Sequence, residues 1–104
     1  MTTIEIVQFR LKNGIKEADF LTANKAVQAD LQRASGYISR EMAKGEDGEW
    51  LDIVHWNSLA EAQRAAEAFL TWPSAQKMAG LIDGDSIRMM HLQQVVKFDP
   101  LMAR

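Results

Sequence analysis

Two hydrophobic periodicities alternate along the chain, and their order is the feature that most constrains the fold. In residues 4–11 (IEIVQFRL) the pattern repeats every second position, which is typical of a β-strand. From about residue 16 to residue 34, apolar side chains recur every three or four positions between charged ones, which indicates an amphipathic helix. Residues 37–44 and 49–56 predict two more strands, and the glycine-containing segment 45–48 predicts a hairpin loop between them.

A second helix and a last strand follow. Ser58 and Glu61 have the spacing of a capping box, so we expect a helix to begin at Ser58. Pro73 is expected to end or kink this helix, because the residue before a proline is disfavoured in the helical region. Ser74 is predicted to cap a short helical piece running to about residue 81, and residues 87–98 predict the last strand.

The predicted order is therefore βαββαβ, which is the order of ferredoxin-like folds. We expect an α+β chain whose residues 1–104 form a single domain, with a four-stranded antiparallel sheet and two helices on one of its faces. With 104 residues and 47% hydrophobic content, the chain can bury a core without disulfides or metals.

Helices on one face leave the other face of the sheet uncovered. We expect a second copy of the chain to cover it, since two-fold dimers are the commonest homo-oligomers. The side chains that the alternation assigns to this face are together too apolar to remain exposed to water. They are Ile4, Ile6, Gln8 and Arg10 from the first strand and Ile87, Met89, His91 and Gln93 from the last. The polar residues predicted to face the partner are Gln8, Arg10, Asp52 and His91.

Charge and composition exclude several classes of function. There are 12 Lys and Arg residues against 14 Asp and Glu, a net charge of −2, so the chain lacks the basic surface that nucleic acid requires. Having no cysteine excludes thiolate catalysis and cysteine-bound zinc, and favours a reducing cytoplasm. The start MTTIEIVQFR does not have the pattern of a secretion signal, and no apolar run approaches the ~20 residues of a membrane span. We expect a cytoplasmic protein that binds neither nucleic acid nor membranes.

No motif predicts a cofactor or a metal. The glycine pairs Gly45/Gly48 and Gly80/Gly84 are not followed by the Lys-Ser/Thr of a phosphate loop. The acidic segment 46–49 lacks the oxygen spacing of a calcium loop. No glycine-framed serine indicates a hydrolase triad. We expect no cofactor and no metal ion.

Several residues around the third strand and second helix resemble a known family. They are the run from Trp56 to Ala62 (WNSLAEA), Phe69, and the run from Trp72 to Ser74 (WPS). The chain resembles the antibiotic-biosynthesis-monooxygenase-like group of the dimeric α+β barrel superfamily over essentially its whole length. The resemblance implies that two protomers stack their uncovered sheet faces into a barrel. It also implies a cleft between sheet and helices for a small hydrophobic or aromatic ligand, and activities ranging from cofactor-free oxygenation of aromatic compounds to haem degradation.

The haem-degrading branch of this superfamily offers a comparison at three positions. Its cleft uses an Asn on the first strand, a Trp on the second long helix and a His further along as the haem ligand. Trp72 matches the Trp, but the first strand has Gln8 beside Phe9, and residues 78–84 contain no histidine. Haem binding is therefore the less favoured alternative.

The resemblance also suggests site residues. His55 shares its strand face with Leu51 and Ile53, which is predicted to point it into the cleft as a general base, although strand-end histidines are more often solvated. Asp52 lies between aromatic residues, where it can exchange protons or instead pair with Arg10 or Arg40. The predicted ligand-binding walls of the cleft are Phe9, Phe69, Trp72 and Met78.

Purely structural interpretations of the same residues stay open. Trp72 can simply pack the kink at Pro73, and Met78 can be core filler. Two functions follow: a small-molecule-binding, monooxygenase-like dimer, or a non-catalytic dimeric module with a structural or regulatory role. A cleft of ~300 Å³ or more favours the first, and a filled interior favours the second.

Overall fold

The computed structural model describes residues 1–101, which form four strands and three helices. The strands are β1 (Thr3–Phe9), β2 (Tyr37–Lys44), β3 (Trp50–Trp56) and β4 (Arg88–Gln93). The helices are α1 (Glu17–Leu31), α2 (Leu59–Phe69) and α3 (Pro73–Ala79), and a 3₁₀ turn, Gly84–Ser86, precedes β4. All strand pairs are antiparallel in the order β2-β3-β1-β4. The predicted ferredoxin-like α+β fold is confirmed.

The core lies between one face of the sheet and the helices. Phe20 and Val27 of α1 and Trp56 of β3 are completely buried. At one end of the sheet Phe9, Phe20 and Trp50 form an aromatic cluster with ring centroids 5.1–6.3 Å apart. Aromatic pairs at these separations add favourable edge and stacking contacts to the burial of apolar area.

The start of α2 is capped as predicted. Ser58 is the N-cap, and its hydroxyl oxygen accepts from the backbone N–H of Glu61 at 3.2 Å. The hydroxyls of Ser35 and Ser58 donate to the Glu61 carboxylate at 2.8 and 3.0 Å. These two hydrogen bonds, that from Ser35 first, lower the pKa of Glu61 below its ordinary value, because they stabilise the ionised carboxylate. The cap therefore also joins the α1–β2 loop to α2.

The helix after Pro73 is a separate element, and one detail of its prediction is wrong. α2 ends at Phe69, and α3 begins with Pro73 at its first position, where a missing N–H costs nothing. The N-cap is Trp72 and not Ser74. The Ser74 hydroxyl instead donates to Asp30 at 2.5 Å, which ties α3 to α1.

The last strand is shorter than predicted. β4 ends at Gln93, which pairs with Thr3, the first residue of β1. The backbone N–H of Gln94 still bonds to the carbonyl of Thr2 at 2.8 Å. Within residues 1–101 no strand pairs with residues 95–98.

The strand register shows that several side chains of β3 and β4 lie on the opposite face of the sheet from the one predicted. Glu5 pairs with His91 and Val7 with Met89, so these residues of β4 share the helix-facing side with the buried odd-numbered residues of β1. The prediction that Met89, His91 and Gln93 lie on the uncovered face is wrong, as is the placement of Asp52 there, because Asp52 pairs with Val7. The apolar members of the uncovered face are Ile4, Ile6, Leu51, Ile53, Met90 and Leu92.

Candidate functional site

A largely apolar cavity of about 280 Å³ lies between the sheet and the helices, and we call it the cleft. Small side chains on the helices create it: Ala65 and Ala66 of α2 and Ala79 of α3 line its wall. A run of alanines leaves room under a helix that larger residues would fill. The other apolar lining residues include Val7, Phe9, Leu31, Val54, Trp56, Phe69, Met78, Ile82, Ile87 and Met89.

Three of the four predicted wall residues line this cleft. They are Phe9, Phe69 and Met78. Trp72 does not line the cleft and instead packs against Phe69, with ring centroids 5.6 Å apart. Of the two interpretations of Trp72, the structural one therefore describes its contacts. Ile87, predicted on the uncovered face, also belongs to the cleft wall.

His55 does not point into the cleft, so the predicted orientation is wrong. It pairs with Ile4 and lies with Leu51 and Ile53 on the uncovered face, while Trp50, Val54 and Trp56 face the helices. Both sets of β3 residues are apolar, so the alternation alone did not show which faces the core. The larger aromatic set packs beneath the helices, and His55 consequently lies where no molecule in the cleft can reach it.

Two carboxylates line the cleft instead, and neither was predicted there. Asp52 belongs to β3 and is held by Arg40 of β2, whose Nε and Nη2 donate to its two oxygens at 2.9 and 2.8 Å. Arg40 also donates to Gln28 at 3.2 Å, and Gln28 donates to the Tyr37 hydroxyl at 2.9 Å. Of the alternatives for Asp52, the structure shows the ion pair with Arg40.

Glu5 of β1 is the second carboxylate. Its Oε2 lies 2.7 Å from Nε2 of His91, its neighbour across the strand pair. An ionised carboxylate only accepts hydrogen bonds, so a hydrogen bond from His91 to the ionised Glu5 requires the tautomer with the proton on Nε2. A sequence signal for Glu5 existed: it is a charged residue on the same strand face as Val7 and Phe9, where a core residue is expected.

The two remaining polar residues of the predicted dimer face lie outside the cleft. Gln8 is on the uncovered face, between Leu51 of β3 and Arg88 of β4. Arg10 follows the end of β1 and reaches the β2–β3 hairpin, where it donates to the Asp47 carbonyl and carboxylate at 2.7 and 3.1 Å. Arg10 is therefore engaged within its own protomer.

The chemistry available in the cleft follows from these contacts. Its walls exclude water from an apolar ligand, and its carboxylates accept hydrogen bonds or protons. Within residues 1–101 no three His, Asp or Glu side chains come together in a metal-binding cluster. None of the helices described is long and apolar enough to cross a membrane.

Comparison with known proteins shows similarity at the level of structure. No protein-family model matches the sequence, and no curated protein matches it. Among solved structures, SnoaB from Streptomyces nogalater, described as a cofactor-independent oxygenase, superposes with a TM-score of 0.74 at 14% identity, over 95% of this chain and 98% of that one. A putative antibiotic biosynthesis monooxygenase from Bordetella bronchiseptica also gives 0.74 at 17% identity, over 91% and 98%. Another from Nitrosomonas europaea gives 0.70 at 12% identity, over 90% of each chain. The chain has the ferredoxin-like α+β fold of the antibiotic-biosynthesis-monooxygenase-like proteins.

Proposed function

We propose that this chain binds a small, mostly apolar aromatic compound in the cleft and acts on it as a cofactor-independent, monooxygenase-like enzyme. The observation that carries the proposal is the cleft itself, an apolar cavity beside a tightly packed aromatic cluster. Cavities of this size are uncommon in a well-packed domain, since leaving one open forfeits packing contacts. A ligand that restores those contacts explains why α2 and α3 carry alanines at this wall.

The volume of the cleft suggests the size of the ligand. An apolar cavity of about 150 Å³ holds benzene, so about 280 Å³ fits a compound of about two fused rings. This volume is close to the ~300 Å³ at which small-molecule sites begin. The alternative function, a non-catalytic module with a filled interior, is disfavoured by the same cavity.

Cofactor-free oxygenation needs an electron-rich substrate anion kept away from water. The apolar walls supply the dry surroundings, and a proton acceptor must lie within reach of the substrate. His55 no longer suits that role, because its side chain lies on the uncovered face. The carboxylates of Glu5 and Asp52 are the acceptors in the wall. SnoaB, which is described as a cofactor-independent oxygenase, supports this type of chemistry on this fold.

We also propose that the chain is a homodimer whose protomers meet through the uncovered face. Met90 and Leu92 of that face are 47% and 44% exposed in the single chain, beside Ile4, Ile6 and Ile53. A contiguous apolar surface of this kind is typical of a protein interface. Stacking two such faces buries both and gives the α+β barrel.

Native mass spectrometry of the protein as purified, repeated after unfolding and after incubation with 1-naphthol, tests this function. We expect a dimer that carries an additional small mass, either retained from the cell or acquired from 1-naphthol, and that loses it on unfolding. A protein that carries no additional mass under either condition would contradict ligand binding in the cleft.

A further inference from the structure

We propose that Glu5 selects the ligand of the cleft. Its free carboxylate oxygen accepts a hydrogen bond from a hydroxyl group on a neutral aromatic compound, whose proton it can then take, and its negative charge excludes compounds that enter the cleft already as anions. This inference rests on the proposed function, because it specifies which aromatic compounds the cleft takes. It assigns a specificity role to a residue of β1 and a positioning role to its neighbour on β4, His91.

Glu5 lies in the middle of β1, on the helix-facing side, and its side chain is only 11% exposed. Oε2 accepts from His91, whereas Oε1 has no hydrogen bond within residues 1–101. Two side-chain atoms of residues 1–101, Asn24 Oδ1 and Trp56 Nε1, are both unpaired and shielded from solvent, and Glu5 Oε1 is not one of them. Part of the surface of Oε1 therefore remains accessible. Because Glu5 lines the cleft, that surface is available to a molecule bound there. An acceptor with accessible surface can accept from water, and a donor on a bound ligand can take the place of that water.

The other polar groups of the cleft wall are already engaged or shielded. Both oxygens of Asp52 accept from Arg40 in a bidentate pair, so this carboxylate has less capacity for a ligand. The indole Nε1 of Trp56 has no partner within residues 1–101, but it is shielded from solvent. Glu5 is therefore the acceptor best placed to orient a ligand that is otherwise held by apolar contacts.

His91 positions the carboxylate. It is the direct cross-strand partner of Glu5 and is not itself part of the cleft wall. Its Nε2–H fixes Oε2 and thereby the direction of Oε1. A donor of another kind at this position should hold the carboxylate in the same way, whereas an apolar residue should release it.

The charge of Glu5 defines the ligand further. An anion entering an apolar cleft loses hydration and meets a carboxylate at close range, and both effects oppose binding. No Arg or Lys of residues 1–101 lines the cleft, and the guanidinium of Arg40, which binds the lining residue Asp52, is committed to that pair. The ligand class is thus neutral aromatic alcohols, such as naphthols and quinols, in preference to unsubstituted rings and aromatic acids.

Equilibrium dialysis with naphthalene, 1-naphthol and 1-naphthoate at neutral pH tests the inference. We expect the wild-type protein to bind 1-naphthol about tenfold or more tightly than naphthalene, as a hydrogen bond to a charged acceptor implies. It should bind 1-naphthoate more weakly than either. In Glu5→Leu the preference for 1-naphthol should disappear while naphthalene still binds. Glu67→Leu, which removes a carboxylate from the exposed side of α2, should keep the wild-type preference.

Two further variants separate selection from folding. Glu5→Gln keeps an acceptor and removes the charge, so it should retain a preference for 1-naphthol and bind 1-naphthoate better than the wild type does. His91→Gln should keep the ratio of the affinities for 1-naphthol and naphthalene, and His91→Leu should reduce that ratio. Equal affinities of the wild type for naphthalene and 1-naphthol would overturn the inference and leave the proposed function standing. Binding of none of the three compounds would overturn the proposed function itself.

Discussion

At the scale of single residues, the most consequential contact is the pair between Arg40 and Asp52. Their side chains are 4% and 12% exposed, and the guanidinium binds both carboxylate oxygens. Gln28 extends the contact to α1. Removing one member of a buried pair leaves a charge without a partner in a low-dielectric setting, and that loss is larger than the net value of the intact pair.

We therefore expect Arg40→Met to lower the free energy of unfolding by about 3–5 kcal/mol in urea or thermal denaturation. The matched control is Arg10→Met, which breaks the ion pair between Arg10 and Asp47. Their side chains are 44% and 70% exposed, respectively. An exposed pair contributes about 1 kcal/mol or less. If the two variants lost the same stability, burial would not be what makes the Arg40–Asp52 pair important.

At the scale of elements, hydrophobic periodicity was sufficient to predict the type and order of the helices and strands. It was insufficient for the faces of β3 and β4. In β3, Leu51 and Ile53 alternate with Val54 and the two tryptophans, so both faces of the strand are apolar. A shift of one residue in the assigned alternation therefore moves every side chain to the opposite face. Two site residues, His55 and Asp52, were exchanged for this reason. The faces of β1 were assigned correctly, although Arg10, predicted on its uncovered face, lies beyond the end of the strand at Phe9.

The junction between α1 and α2 allows a prediction with a pH dependence. Because hydrogen bonds from Ser35 and Ser58 lower the pKa of Glu61, its contribution to stability is fully present above the ordinary glutamate pKa. That contribution is lost as the pH falls through the lower pKa of the folded state. We expect Ser35→Ala and Ser58→Ala each to raise the pKa of Glu61, measured by NMR titration of its carboxyl carbon.

The same variants should weaken the stability that the wild type gains as the pH rises from the lowered pKa of folded Glu61 to the ordinary glutamate pKa of ~4.3. Ser35→Ala leaves the N-cap of α2 intact, so it isolates the effect on the carboxylate. Unchanged titration of Glu61 in both variants would show that the two hydroxyls do not stabilise its charge in solution.

At the scale of the whole molecule, the sheet divides the chain into a side that encloses the cleft and a side that is uncovered. The first side buries its aromatic residues beneath three helices. The second presents Ile6 and Ile53 as directly paired neighbours at its centre. The sequence could predict that one face of the sheet lies uncovered, because both predicted helices pack on the other face. The resemblance to a family implied the cleft and three of its wall residues, but the volume of the cleft could not be predicted, because it depends on where alanines of α2 and α3 meet the sheet.

We expect Ile53→Glu to convert the proposed dimer to a monomer, because two carboxylates would be buried against apolar side chains at the centre of the proposed interface. Light scattering coupled to size-exclusion chromatography should give twice the mass of one chain for the wild type and the mass of one chain for the variant. Gln63→Glu adds the same charge on the exposed side of α2 and should remain dimeric. A monomeric wild type would contradict the barrel arrangement.

Filling the cleft with a larger side chain tests whether the ligand binds there. Ala66 lines the cavity, whereas Ala60 is exposed on the same helix and does not line it. Equilibrium dialysis of 1-naphthol should give at least tenfold weaker binding for Ala66→Leu than for the wild type, since the added carbons occupy the ligand's space. Ala60→Leu should bind as the wild type does. Equal binding by all three proteins would place the ligand elsewhere and contradict the account.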